Sequence, residues 1–457
     1  MAVQRPQSGL TPSAPPPRLH GAQVLRSRGR LISQIPSPDR LAPLAWSAIL
    51  ILAAAHFAAF VDRSLPSVVA PLIKAQFGLD DTRIGLLQGP AFSTLYALGL
   101  LVAGHFIAGR NPYRVAAGCM IVWTAGGVLF ALAPDYPSML AARVALGLGQ
   151  AAFVPAALML LTGQGDHGRR ARALSTFTTG SATGRSAALL LGGAALAMVA
   201  GRSLAGLEPW RAASLMLVLP NLVLIALLVW KARGHEVIGR EPRQGLGDAF
   251  RLLRTRWRVF APLLIIGAGA VMVIQATAAW SPSILNRGLG LSPAHAALVA
   301  GGVALTFAPV GHLGGGWTLG SAFGRRLGAG PPLAAGMALA LAGVLVLAAA
   351  RVLPAAAAGL AALTIGGGFA AVIALVEVQA LTEPRLRPQV GAVYLAFVSL
   401  VGVGLGPLLT GVVSDHGATG PGGLAVALAV VVGAAAVVVA GVALTFAGPW
   451  RRAAPDI

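Results

Sequence analysis

The chain of 457 residues is 56% hydrophobic and only 11% charged, with a mean hydropathy of +0.78, where soluble domains carry about a quarter charged residues. These values exclude a water-soluble globular protein and require a polytopic membrane protein. A net charge of +20 invites a nucleic-acid reading that its placement argues against, and the single cysteine, Cys119 in an apolar run, excludes a disulfide framework and a thiol metal site.

In chain order, residues 1–42 are rich in Pro, Ser and Arg without an apolar core, and read as a disordered cytoplasmic tail with no signal peptide. Apolar spans follow at about 44–74, 84–108, 113–133, 137–162, 171–200 and 209–230, an N-terminal six-helix bundle over 43–230. Residues 231–258 form a basic linker in which Phe250, Leu253 and Trp257 recur at helical spacing between arginines. That pattern fits an amphipathic helix over Leu246–Phe260 on the inner leaflet, or else an ordinary basic loop. Further spans at about 259–282, 294–318, 332–350, 355–381, 391–413 and 424–447 build a C-terminal six-helix bundle over 259–448, with a cytoplasmic tail at 449–457. Each span is near or above the roughly 20 residues that cross a bilayer.

With the N-terminus inside, most arginines fall on the cytoplasmic side, among them Arg169, Arg170, Arg172, Arg251, Arg254, Arg256, Arg258, Arg451 and Arg452. The outer side keeps only Lys74, Arg83, Arg202, Arg211, Arg287 and Arg351. This asymmetry is the positive-inside rule, which places both termini in the cytoplasm and makes the charge topological rather than a nucleic-acid footprint. Lysine occurs only at Lys74 and Lys231 in a chain crowded with Ala, Gly, Val and Leu, a usage that points to GC-rich coding and an inner-membrane protein of a bacterium. Gly104–His105 in the second span echoes Gly311–His312 in the eighth, which supports two parallel repeats around a central cavity.

Asp62 and Arg63 stand side by side in the first span, and Arg143, Gln150, Arg185 and Glu377 interrupt later ones. Ionisable groups in hydrocarbon cost several kcal/mol each unless they face a wet cavity or one another.

Four stretches resemble a known family. They are AAFVDRSLPSVVAPLIKAQFGLDDTRIGLLQG (Ala58–Gly89), RVALGLGQAAFVPAALMLL (Arg143–Leu161), ILNRGLGLSPAHAALVAGG (Ile284–Gly302) and GAVYLAFVSLVGVGLGPLLTGVVSD (Gly391–Asp415). With the hydropathy they look like the major facilitator superfamily, and within it the Spinster-like branch of lipid transporters. The resemblance implies an all-α membrane protein of twelve transmembrane helices in two six-helix bundles, working by alternating access, and favours a monomer.

The chain departs from that pattern in places. The superfamily's acidic residue in the loop between spans two and three has no counterpart from Leu100 to Arg114, and the equivalent loop from Gly311 to Arg326 also lacks an acid. In the family that carboxylate helps hold the cytoplasmic side closed, so its absence implies a shifted conformational equilibrium or a substitute latch. Gln150 stands where the branch usually has Glu, and Arg185 follows the hinge-like run Gly180–Gly184 where a proline is expected.

A carboxylate in hydrocarbon can exchange protons near physiological pH, because burial and a neighbouring arginine push its titration in opposite directions. By resemblance Asp62 couples protons with Arg63 as its partner; the competing reading is a permanent salt bridge. Arg143 offers a planar fork for phosphate or carboxylate, and Arg63, Arg143, Gln150 and Glu377 are the candidate substrate-binding residues, although Gln150 cannot titrate. Glu377 could instead be solvated near the end of its span. Arg185 could replace the lost latch by reaching a helix C-terminus, or contact substrate. Gly180, Gly184, Arg185, Gly406 and Pro407 are the candidate gating positions, since small-residue seams let helices slide.

His56, His105 and His312 lack any ligand spacing, so no metal is expected; they are read as bonding helix backbones. No GxxxxGK[ST] loop or G-x-S-x-G elbow occurs, so neither ATP hydrolysis, a cofactor nor an enzyme is implied. The expectation is a carrier of an amphipathic, lysophospholipid-like anion or zwitterion, driven by protons. A carrier of a small organic anion or xenobiotic is the alternative, and a transporter-derived sensor, which would bind without counterflow, is a third.

Overall fold

A computed structural model describes residues 44–162, 167–201, 206–234, 245–417 and 420–453. The tail at 1–42, residues 235–244 of the linker and the last residues from 454 lie outside the described residues. Among the described residues, twelve helices are long and apolar enough to cross a membrane. They are α1 Trp46–Phe77, α2 Asp81–Ile107, α3 Pro112–Leu132, α4 Tyr136–Thr162, α5 Gly168–Val199, α6 Pro209–Arg233, α7 Trp257–Leu289, α8 Pro293–Gly320, α9 Gly330–Ala349, α10 Leu353–Ala380, α11 Pro384–Gly417 and α12 Gly423–Phe446. All twelve expected spans are present. Of the two readings of the linker, helix or loop, its described part shows a helix over Leu246–Thr255, shorter than Leu246–Phe260 because α7 begins at Trp257. Its Ala249 is buried while Phe250 is exposed. We call the side bearing this helix the linker face and the opposite side the distal face.

Local chemistry sets the helix ends. A helix leaves its first N–H groups unpaired, and a short polar side chain just before it can take them up. Asn111 does so for α3, accepting from the Tyr113 and Arg114 amides at 3.0 and 3.3 Å, and Asp135 does so for α4 through the Ser138 amide at 2.9 Å. The internal repeat is sharpest at the distal face. Both α1 and α7 end on a left-handed glycine, Gly78 (φ 61°) and Gly290 (φ 67°), a conformation a side chain would strain. In each case a leucine follows, and then a cap for the next helix. Asp80 accepts from the Arg83 amide at 2.7 Å, and Ser292 from the His295 amide at 3.3 Å.

The two halves meet along two seams, α2 against α11 and α5 against α8. A Cβ placed on Gly89 would lie 2.2 Å from the Gly404 carbonyl oxygen, so these backbones touch directly. On the other seam Gly193 and Gly301 bring α5 and α8 together near Ala294 and Leu190. Gly180 and Gly184 serve a different contact. They press α5 against the Ala53 and Phe57 carbonyls of α1, inside the N-terminal half, and α5 continues unbroken through them.

Helix α11 is irregular one turn before Gly406–Pro407, where Ser399–Leu405 widens into a π-helix. Proline has no N–H to offer the carbonyl four residues back, and wide turns absorb such a loss. The Pro407 carbonyl accepts from the Trp280 indole at 3.0 Å, which ties the segment after the wide turn to α7.

Candidate functional site

Successive residues on a helix point about 100° apart, so neighbours in sequence need not share surroundings. Asp62, 2% exposed, turns toward α6, where its Oδ2 accepts from Asn221 Nδ2 at 2.7 Å. Its Oδ1 is buried with no hydrogen-bond partner. Arg63 turns toward α2 and α4. It donates to Gln150 Oε1 at 2.9 Å, and its guanidinium lies 4.6, 4.4 and 4.8 Å from the ring centres of Phe60, Phe92 and Tyr96. Gln150 spends its other end on the Ala59 carbonyl, at 2.9 Å.

Arg143, 1% exposed, points into the same bundle, donating to the carbonyls of Leu87 at 3.2 Å and Arg63 at 3.1 Å. Neither arginine forms an ion pair with Asp62; the pairs among the described residues all lie elsewhere. The sequence places Asp62 and Arg63 side by side, yet the helix separates them.

Arg185 of α5 joins the group at Phe60, with its guanidinium 4.9 Å from that ring's centre. Its Nε is buried without a partner. It lines a cavity of about 60 Å³ between α5, α7, α8 and α10, together with Thr277, Ser281, His312 and Thr364. It does not reach a helix C-terminus. Three of the expected positions, Arg63, Arg143 and Gln150, therefore come together with Asp62 in the N-terminal half, while Arg185 looks across to the other half. Glu377 stays apart. It sits thirteen residues beyond Thr364 on α10, about 20 Å along the helix axis, and does not line the cavity. His56 and His312 meet backbone oxygens as expected, Phe177 at 3.1 Å and Ala308 at 2.8 Å.

Sequence reasoning missed the distal charge network. Asp81, at the start of α2, accepts both guanidinium nitrogens of Arg287 at 2.8 and 2.7 Å, the Ser414 hydroxyl at 2.7 Å, and the Lys74 ammonium. One residue further, Asp415 of α11 accepts from the Asp81 and Thr82 amides at 3.0 and 2.7 Å. These bonds join α1 and α2 to α7 and α11, so they fasten one half to the other at the distal face. The connection between α2 and α3, where the family's acid is missing, has no ion pair among the described residues; Arg110 there folds back onto the Phe106 carbonyl and ring.

The sequence pattern of the Major Facilitator Superfamily matches residues 52–407. The chain belongs to this superfamily. The superfamily is one of transporters, not of enzymes. An MFS-type efflux pump of Mycolicibacterium smegmatis is 30% identical over 263 residues, 56% of this chain and 58% of that protein. A probable sphingolipid transporter, spinster homolog 2 of Arabidopsis thaliana, is 30% identical over 159 residues, 33% of this chain and 30% of the plant protein. The chain thus spans little more than half the length of the first of these curated relatives and less of the second. Among solved structures, an inward-facing, unoccupied bacterial homolog of the human lysosomal transporter Spinster superposes with a TM-score of 0.73 at 24% identity, covering 89% of this chain and 96% of that one. The expected likeness to the Spinster branch is therefore present in sequence and in fold.

Proposed function

We propose that this superfamily member carries an amphipathic organic anion or zwitterion, of the lysophospholipid kind, by alternating access, with Asp62 as the proton site. The observation that carries the reading is a charge imbalance. Arg63, Arg143 and Arg185 gather around Phe60 and Phe92 in the middle of the spans, with Asp62 as the one carboxylate beside them and bonded away from all three. Uncompensated cations in hydrocarbon are costly and mark substrate or ion pathways, and an anionic cargo supplies the missing charge.

Asp62 suits a proton site because its Oδ1 makes no full hydrogen bond, with the Trp123 indole as its neighbour, while Oδ2 is held by Asn221. The linker face is assigned to the cytoplasm of a bacterial plasma membrane, and the protein to a monomer. A small organic anion or xenobiotic is the second reading. The cavity volume, about 60 Å³, favours it, as that is room for a charged group rather than a whole lipid.

The test is uptake of labelled lysophospholipid into proteoliposomes with and without a pH gradient, comparing wild type with Asp62→Asn. Gradient-driven uptake that disappears in the variant supports both cargo and coupling. Uptake indifferent to gradient and substitution removes Asp62 from the mechanism. If lysophospholipid does not move but a small aromatic carboxylate does, the second reading stands.

A further inference from the structure

The arginines of the central group differ in how much of each is already committed. Arg143 gives Nε and a terminal nitrogen to backbone carbonyls, and Arg63 gives a terminal nitrogen to Gln150 while enclosed by three rings. Arg185 has no hydrogen bond to any described residue, and one ring, Phe60, lies against it. Stacking uses the face of a guanidinium and leaves its in-plane N–H donors free.

Arg185 borders a cavity that belongs to both halves, with α5 contributed by one and α7, α8 and α10 by the other. The cavity holds no acid. Its polar groups are hydroxyls and an imidazole, and Thr277 Oγ1 is buried without a partner like Arg185 Nε. The rest of the wall is aliphatic, including Leu189, Ile274 and Leu363. A fork of unused donors, an unused hydroxyl and an apolar wall fit one chemistry: a phosphate or carboxylate on a hydrocarbon body.

We propose that Arg185 is the residue that grips the charged group of the cargo, in a subsite closed on its other side by Thr277 and the α7–α10 wall. Arg63 and Arg143 then supply field and architecture rather than contact. This rests on the anion-carrier reading above and assigns it a place. Position matters here as well as charge, because a site walled by both halves is taken apart when the halves rock. A bound anion would therefore favour the arrangement in which the α5/α8 seam is closed.

The experiment is titration of octyl phosphate, and separately inorganic phosphate, into the full chain in neutral nanodiscs, with empty nanodiscs subtracted. Wild type is compared with R185Q, R185K and A278F, and thermal melting reports folding of each. We expect R185Q to weaken octyl phosphate at least tenfold, R185K to retain part of the affinity, and A278F, which fills the cavity while leaving Arg185 intact, to weaken it as strongly as R185Q. Inorganic phosphate should bind wild type at least tenfold more weakly than octyl phosphate. Unchanged affinity in R185Q or in A278F overturns the subsite while leaving the carrier reading in place. Equal affinity for the two phosphates overturns the apolar wall as part of the site. Wild type that binds neither overturns the anion reading beneath it. If R185Q does not fold, A278F decides alone by the same criterion.

Discussion

The distal network and the mid-membrane arginines use the same residue types to opposite ends. At the distal face Asp81 binds Arg287, Lys74 and Ser414, and Asp415 binds the Asp81 and Thr82 amides, so two carboxylates meet two cations and the partners come from both halves. In the middle of the spans Asp62 and three arginines sit together without one ion pair. Balanced charge fastens, as a fastener must find its own partners within the protein. Unbalanced charge recruits, because its partner has to come from outside. The contrast gives physical content to the proposed division of labour between a distal fastener and a mid-membrane site.

The comparison breaks most completely if Asp62→Asn behaves like wild type. We expect the substitution to abolish accumulation against a gradient while leaving counterflow exchange within several-fold, since Asn keeps the size of the side chain. Removing the distal fastener should have the next largest effect. Asp81 is 4% exposed, but Arg287 and Lys74 are 27% and 29% exposed, so Asp81→Asn should cost the closed distal state about 2 kcal/mol, roughly thirtyfold in its population, between the values for buried and surface pairs. Labelling of Thr410→Cys, in a background with Cys119→Ala, measures that opening, and unchanged labelling would show that the seam and not the charge network holds the face shut.

Gly89→Ala tests the seam itself. A methyl group 2.2 Å from the Gly404 oxygen should push α2 from α11 at a cost of about 1–3 kcal/mol, read as a rise in the same labelling of about tenfold. The smallest effect belongs to Glu377→Gln. Being remote from the cavity, it should change uptake less than twofold, and a larger loss would bring α10's linker end into the mechanism.

Much of the architecture was legible in the sequence because a bilayer imposes a length and a hydropathy that no soluble context demands. Twelve spans could be read that way, whereas the helix at Leu246–Thr255 was one of two readings of the linker and rested on helical spacing. The site was legible in its members but not in its directions. Asp62 and Arg63 read as a couple because they are adjacent, whereas a helix sends adjacent side chains to different neighbours, and Asn221 was the unexamined polar residue in α6 that should have drawn attention. Asp81 lay inside a quoted family-like stretch yet escaped notice. In the sequence the family's latch lies in the loops between spans two and three and between eight and nine, while Lys74 and Arg287 carry a topological signal and Asp415 ends a family-like stretch. Arg185 was recognised as anomalous, but only packing shows that it faces a cavity rather than a helix end.

Helix α1 stands between the Asp62 carboxylate turned toward α6 and the Arg63 guanidinium turned toward α2 and α4, and Arg185 shares the Phe60 ring with Arg63. Passenger and proton, if they use these groups, are held by different hydrogen-bond partners, Asn221 for the carboxylate and Gln150 for Arg63. A bulky passenger and a small one would then disturb Asp62 only through the turning or tilting of α1, which is the same motion for both. The number of protons spent per crossing becomes a property of that helix, indifferent to what is carried.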